Sequence, residues 1–498
     1  MTDNVSYGAI PRARPAACDT LKVAKGSAVH IAFVRPMAPS NRYIQNVPLN
    51  YIHLAAYLRE HGHTPHILDM VFDHVTPDFV DAYLRENGIP IVGIGAMTCE
   101  LPQAIEQARR LKAAHPGILV VFGGAHPSAD PEECLRTGAV DYVVAGEGEI
   151  ALAGLLNALE RGDAAAIAGT AGVWRRDGET ILPMPPAPVP DIEELPRPAY
   201  DLLRLEDYFR LDSPWHFPKS PRAVQFISSR GCPYHCSYCH EIHGKKYRGL
   251  PAEKVVDQME WLVRDLGVRE FMMVDDIFNF DLDRAKQICR GILDRKLAIH
   301  MQFPNGVRGD RFDEELVELM RAAGTHYMAI AVETVSEKFQ KLIRKNLKVE
   351  RAEQAIGWAK KHGIEVCGFF MIGFPGETLE EVRRTVDFAV HAPLDTIFIS
   401  LVSPFKGTRL RSDMIAGRFG EMDADGLQAL DQLFPMVHNK QLPSSLLLKI
   451  QREAYWRFYT KPQSLVNLGK KLTNRRNVVK IVRAVTRRVF HSDMVSVN

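Results

Sequence analysis

Three cysteines, Cys232, Cys236 and Cys239, stand in the run SSRGCPYHCSYCHEIHGKKYR with CxxxCxxC spacing. Thiolates are the soft ligands of iron-sulfur clusters, which commonly take four; three on one short loop leave one iron open to a ligand from outside the protein. An open coordination position makes a metal site reactive, whereas a closed one is structural. Zinc is the alternative reading, with His235, His240 or His243 completing a Cys3His set.

The elements that must present this loop belong to a large globular chain. Its 498 residues, 46% hydrophobic and 24% charged, exceed one ordinary domain, and a net charge of +2 gives no bulk attraction to nucleic acid. No run reaches the roughly 18 consecutive apolar residues of a membrane span. The segment 1–27 lacks the apolar core of a signal peptide and reads as a flexible tail, so a cytoplasmic location is expected. Cys18, Cys99, Cys134, Cys289 and Cys367 are scattered without a disulfide-like framework, which fits a reducing compartment.

From residue 28 to 160, apolar runs such as AVHIAFV, IVGIGAM and ILVVFGG alternate with helical patterns such as LNYIHLAAYLREHG. This rhythm predicts a doubly wound, Rossmann-like parallel sheet whose ligands bind at the strands' carboxyl ends. Met97, Thr98, Gly123, Gly124, Gly146, Glu147, Gly148 and Glu149 fall on that rim, either as cofactor contacts or as ordinary strand-to-helix turns. Residues 161–222, rich in Pro, Ala and acidic residues, read as a linker laid over the surface. Between 223 and 410 six strand candidates alternate with helices, which predicts a partial (β/α)6 barrel of the TIM type with its active residues at strand ends. Residues 411–498 read as a helical region.

The cysteine loop, with Tyr238 as the aromatic before the last cysteine, resembles the cluster loop of the radical S-adenosylmethionine (radical SAM) superfamily. The segment 28–160, through PLNYIHLAAYLREHGH, GGAHPSADPEE and DYVVAGEGE, looks like the cobalamin-binding domain that precedes many of these enzymes. The resemblance implies a 4Fe-4S cluster on the three cysteines, SAM on its open iron, and cobalamin in the first domain. The DxHxxG motif that supplies a histidine to cobalt is absent, so cobalamin is expected without a protein histidine ligand.

Strand ends of the barrel then offer SAM contacts. Asp275 and Asp276 suit the amino group or ribose, or are a helix N-cap pair. Asn305 and Arg308 suit the carboxylate. Glu333 matches the family position that reads ribose or amino groups, and Gly373 and Pro375 in GFPGET match the adenine-side turn. Arg248, after the loop, reads as a solvated basic residue or as one offsetting cluster or substrate charge.

Residues 461–491 contain nine Lys or Arg and no acid, interleaved with Leu465, Leu468, Leu472, Val479, Val482, Val485 and Val489. Such a basic amphipathic segment lies on an anionic membrane surface or packs on the barrel with its basic face in water. The expected activity is reductive SAM cleavage to a 5'-deoxyadenosyl radical that takes hydrogen from an unactivated carbon, followed by cobalamin-dependent C-methylation. Radical cyclisation, rearrangement or coupling of a lipid or tetrapyrrole is the alternative, and a corrinoid or Fe-S sensor the non-catalytic one. The expected partners are a small-molecule or lipid-like substrate and an electron donor such as flavodoxin or ferredoxin. No nucleic acid is expected, and on the membrane reading residues 461–491 would give peripheral contact at the inner membrane face.

Overall fold

The computed structural model describes residues 28–38, 46–211, 218–419, 437 and 442–472. Seven strands form the first sheet: β1 (His30–Arg35), β2 (Thr64–Asp69), β3 (Ile91–Gly95), β4 (Leu119–Gly123), β5 (Tyr142–Val144), β6 (Val173–Asp177) and β7 (Thr180–Leu182). Their order is β2-β1-β3-β4-β5-β6-β7, parallel through β5 and antiparallel after it. Ile31 and Phe33 pack on one face and Ala32 and Val34 on the other, so β1 is apolar without alternation, as a sheet covered on both faces requires. The order reverses between β1 and β3, and there Tyr51 donates to the Val34 carbonyl (3.2 Å) and accepts from the Gly95 N–H (2.8 Å). That switch point opens the crevice where such sheets bind ligands.

The second sheet begins with β8 (Ala223–Phe226). A two-residue ribbon follows, β9 (Ser229–Arg230) antiparallel to β10 (Arg248–Gly249), and brackets the cysteine loop. Then come β11 (Glu270–Met273), β12 (His300–Val307), β13 (Thr325–Glu333), β14 (Glu365–Ile372) and β15 (Thr396–Leu401). The order β8-β11-β12-β13-β14-β15 follows the sequence, all strands parallel, which is the expected six-stranded partial barrel. Alternate residues such as Val366, Phe370 and Ile372 pack on the outer helices, leaving Phe369 on the inner face.

The expected linker is corrected in two ways. Helix Ala164–Gly169, β6 and β7 complete the first domain, so the connection begins after Leu182. It is also not laid over the surface: Ile192, Tyr200, Tyr208 and Phe209 are buried in one core with Leu49 and Ile52 of the first domain and Val224 and Phe271 of the barrel. A few large apolar side chains seal the two units together, although the Pro-rich and acidic composition around them reads as solvent-facing.

Tyr208 donates to Asp69 Oδ2 (2.7 Å) at the end of β2, and Arg35 approaches the same oxygen (3.3 Å). Removing a hydrogen-bond donor from a buried carboxylate costs about 1–3 kcal/mol. Tyr208→Phe is therefore expected to lower unfolding free energy by that amount in denaturant titrations, and an unchanged midpoint would contradict the seal.

Candidate functional site

The ribbon β9–β10 holds the cysteine loop by both ends. Gly231 enters it at φ 82°, and a Cβ there would fall 2.2 Å from the Lys246 carbonyl oxygen, so only glycine fits. The Cys232 N–H donates to the Gly244 carbonyl (3.3 Å), the Ser237 N–H to Ile343 (2.8 Å), and the Leu410 N–H to Ser237 (2.7 Å). Lys245 Nζ donates to the Tyr234 carbonyl (2.7 Å). The loop is thus tied to itself and to segments beyond β13 and β15.

The three thiols lie in one another's field. Loss of water around sulfur and the charge of Cys236 push the Cys232 thiol up and the Cys239 thiol up to about 11. Such thiols ionise readily only beside a cation, which suits cluster irons. Cys134, Cys289 and Cys367 are buried elsewhere, in helix Pro131–Arg136, in helix Leu282–Asp294 and in β14. Among the described residues no three or more His, Cys, Asp or Glu side chains are gathered closely enough to hold a single metal ion, the three loop cysteines included. Of the histidines considered for zinc, His243 turns Nδ1 to Asp276 (2.9 Å) and His240 lies beside the Phe405 ring.

The residues expected around SAM separate into three kinds. Asp275 is buried, and its Oδ1 accepts from the Ser228 N–H (3.1 Å) and hydroxyl (2.8 Å) and the Ser229 hydroxyl (2.5 Å). Its Oδ2 is buried without a protein partner, and burial pushes its pKa up against the pull of the serines. Asp276 braces the loop entrance by accepting from the Gly231 N–H (2.8 Å). Burial pushes its pKa up, but His243 outweighs this and holds it below the usual range. Neither aspartate caps a helix. Asn305 is exposed at the end of β12, with Nδ2 3.3 Å from the Asp275 carbonyl.

Glu333 ends β13 at φ 68°, a left-handed conformation unusual for a residue with a Cβ. Its Oε1 accepts from the Tyr238 hydroxyl (3.0 Å) and Lys345 Nζ (2.9 Å), which joins the loop's aromatic residue to the strand end. Arg308 has partners of its own. Its guanidinium pairs with Asp310 (2.7 Å), reaches the Asn346 carbonyl (3.3 Å) and stacks 3.8 Å over Tyr234, so it is already committed. Arg308 thus supports the loop through Asp310, Asn346 and Tyr234.

Gly373 and Pro375 form a turn that Glu377 closes, its Oε2 accepting from the N–H groups of Gly373 (2.6 Å) and Phe374 (2.9 Å). Glu377 Oε1 is buried without a partner, and burial pushes this carboxyl up to about 7. A Cβ on Gly373 would sit 2.6 Å from Leu447, so helix Ser444–Tyr459 backs this turn.

On the rim of the first domain, Met97 is exposed and the Thr98 hydroxyl lies 3.2 Å from His126 Nδ1. His126 Nε2 meets Glu133 (2.9 Å), which meets Lys406 of the barrel (2.8 Å). Gly124 and Gly146 take φ values of 94° and 84°. A Cβ on Gly146 would meet nothing within 4 Å and one on Gly123 only the Val144 carbonyl at 3.6 Å. Bare backbone of this kind is what a broad ring needs to lie against. Gly148 faces inward on Leu54.

Glu147 and Glu149 are corrected from cofactor contacts to a domain clamp. Arg230, two residues before Cys232, reaches Glu147 (2.7 Å) and Glu149 (2.8 Å), and Arg248 also pairs with Glu147 and reaches the Pro190 carbonyl (3.1 Å). All four side chains are at most 10% exposed. Burial pushes the Glu149 carboxyl up, but Arg230 outweighs it and leaves it below the usual range. Arg248 is therefore not a solvated basic residue, and its charge is paired with Glu147. Sequence reasoning missed Arg230, Lys345 and Glu377; the charge of Arg230 between an apolar strand and the first cysteine was the available signal.

Residues 226–389 match the model of the radical SAM superfamily, and residues 40–156 that of the B12 binding domain. An uncharacterized methyltransferase of Pyrococcus horikoshii is 30% identical over 84% of this chain and 89% of its own length. The cytidylyl-2-hydroxyethylphosphonate methyltransferase of Streptomyces wedmorensis is 28% identical over 75% of this chain and 78% of its own. The solved structure of the cobalamin-dependent S-adenosylmethionine radical enzyme OxsB, with aqua-cobalamin and S-adenosylmethionine bound, superposes with a TM-score of 0.73 at 17% identity. That match covers 94% of this chain and 75% of that one, and shows a shared fold.

Glu377 gives a test of the site's packing. Between its ordinary 4.5 and its raised value near 7, the folded protein keeps a proton that the unfolded chain releases, so stability falls as pH rises through this window. The full change is about 3 kcal/mol. Glu377→Gln keeps a neutral side chain, so urea titrations at pH 5 and pH 8 should show the variant gaining that amount on the parent. Parallel profiles would contradict it.

Proposed function

The chain belongs to the cobalamin-binding radical SAM enzymes, and we propose that within that family it transfers a methyl group to an unactivated carbon of a hydrophobic small molecule. A 4Fe-4S cluster, SAM and cobalamin are its cofactors. When bound, they supply reductive sulfonium cleavage, hydrogen abstraction and a transferable methyl group, which leaves binding, orientation and exclusion of water to the protein.

The observation that carries the reading is the buried clamp of Arg230 and Arg248 on Glu147 and Glu149, which joins the cysteine loop to the glycine rim. Cys232, Cys236 and Cys239 would hold the cluster and leave it open to SAM. Asp275 Oδ2, buried and unpartnered, and the Glu333–Tyr238–Lys345 group receive SAM's polar atoms. Gly123 and Gly146 would give cobalamin a bare backbone surface, while Gly124 lets the rim backbone pack closely on Ala96. A small-protein electron donor such as flavodoxin or ferredoxin reduces the cluster.

An apolar layer on the barrel's inner face supports a hydrophobic substrate. Phe369 and Phe398, from adjacent strands, meet edge to face with centroids 5.9 Å apart. Gly306 leaves space beside Ala331 and Phe369, which would lie 3.5 and 3.6 Å from its missing Cβ. This layer lies on β12–β15 near the strand ends that carry Asn305 and Glu333, and Phe398 in it is 46% exposed, so apolar carbon seated there would adjoin the SAM contacts and cover apolar surface now open to water.

The test is anaerobic. Protein reconstituted with iron, sulfide and cobalamin is given SAM labelled in its methyl group, a reductant and a panel of hydrophobic small molecules. The expected result is 5'-deoxyadenosine together with a product carrying one labelled methyl, two SAM being consumed per product. Cys236→Ala should reduce both to background. SAM cleavage with a rearranged but unmethylated product would replace this reading with cyclisation, and no cleavage at all would favour a sensor.

A further inference from the structure

The short helix Ala125–Ala129 joins the glycine rim to the barrel. Its His126 meets the Thr98 hydroxyl at the end of β3 (3.2 Å), and its Ser128 hydroxyl accepts from the Gly146 N–H beyond β5 (2.9 Å). Its last residue touches the segment after β15, where a Cβ on Gly407 would fall 2.7 Å from the Ala129 Cβ. Beside that contact Lys406 Nζ donates to Asp130 (2.9 Å) and to Glu133 Oε2 (2.8 Å), and the same Glu133 oxygen meets His126 Nε2 (2.9 Å). An unbroken chain of polar groups therefore runs from the barrel to the rim of the first domain, through Lys406, Glu133, His126 and Thr98.

Charge sets the direction of each hydrogen bond in this chain. Hydrogen bonds from His126 and Lys406 outweigh burial and hold the Glu133 carboxyl down at about 2, so it is ionised and can only accept. Lys406 already meets its negative charge, and the His126 ring, 2% exposed, adds one N–H from Nε2. A ring that donates from Nε2 to a carboxylate keeps Nδ1 as its acceptor. Nδ1 then takes the Thr98 hydroxyl proton. Thr98 is half-buried beside the exposed Met97, so its oxygen is left at the rim with lone pairs to offer and no proton.

We propose that Lys406 is a positioning residue for cobalamin, acting from the other domain: through Glu133 and His126 it fixes the Thr98 oxygen as a hydrogen-bond acceptor for an N–H or O–H donor on the cofactor. The inference rests on cobalamin binding at the glycine rim and not on methyl transfer. Two parts of cobalamin carry such a donor, the side-chain amides of the corrin and a water on cobalt. Lys406 itself touches neither, and its effect is carried entirely by the oxygen it orients.

Aquacobalamin binding to the full chain with its cluster reconstituted, measured by ultrafiltration, tests this. Thr98→Val removes the oxygen and keeps the shape, and Lys406→Met removes the charge and keeps the length. Each should weaken binding about tenfold, the loss of one hydrogen bond, and Lys406→Arg should recover most of it. The double variant Thr98→Val with Lys406→Met should lose no more than either change alone, because both remove the same contact. Electron paramagnetic resonance of bound cob(II)alamin separates the two donors: an altered cobalt hyperfine pattern in Thr98→Val marks water on cobalt, and an unaltered one marks a corrin amide. Losses that multiply to about a hundredfold in the double variant would overturn the proposal, since Lys406 would then only hold the domains together. Binding equal to the parent's in either single variant would overturn it as well. A parent chain that binds no aquacobalamin would overturn the cobalamin reading itself, and this inference with it.

Discussion

Two arginines and two glutamates, all nearly dry, hold the molecule's chemistry in register. Arg230 lies between Glu147 and Glu149, and Arg248 pairs with Glu147 from the other strand of the ribbon around the cysteine loop. Burying four charges is expensive, and a buried pair adds little net stability compared with apolar packing. What such a pair does enforce is geometry, because a charge shifted out of place would be left unpaired. The glutamates start a helix on the rim of one sheet, and Arg230 is two residues from the first cysteine. A small movement of either domain is therefore opposed where the cysteine loop meets the glycine rim.

Other contacts repeat this arrangement around the cleft. Lys406, beyond β15, reaches Asp130 and Glu133 of the first domain, and Glu133 holds His126 under the rim. Tyr208 ties the connecting segment to Asp69 at the end of β2. On the barrel side, Glu333 gathers Tyr238 and Lys345, and Arg308 stacks on Tyr234. The cysteine loop is thus gripped from three sides before any cofactor is considered.

The parts of this molecule with a strong local pattern were legible in its sequence. The parallel strands of both sheets and the three-cysteine loop follow from apolar periodicity and motif spacing, whereas the antiparallel β6 and β7 were hidden in what read as a linker. Side-chain partners across the domain boundary were not. Glu147 and Glu149 stand among rim glycines and read as cofactor contacts, because nothing within twenty residues of them reveals Arg230. Arg308 has the right charge for a SAM carboxylate, and its pairing with Asp310, two residues away, was not read from the sequence. The connecting segment misleads for another reason: its composition is polar, while its placement is decided by four large apolar residues. The expected contribution of the basic tail beyond Leu472 lies outside the described residues.

The central claim is that one cleft, locked by Arg230, holds both the cysteine cluster and the cobalamin surface. The most direct test is a crystal structure of the anaerobically reconstituted protein with cobalamin and SAM. The account predicts a cluster on Cys232, Cys236 and Cys239 with SAM on its fourth iron, a corrin against Gly123 and Gly146, and Arg230 still between Glu147 and Glu149. A fourth protein ligand on the cluster, a corrin bound away from that rim, or an Arg230 released from both glutamates would contradict it.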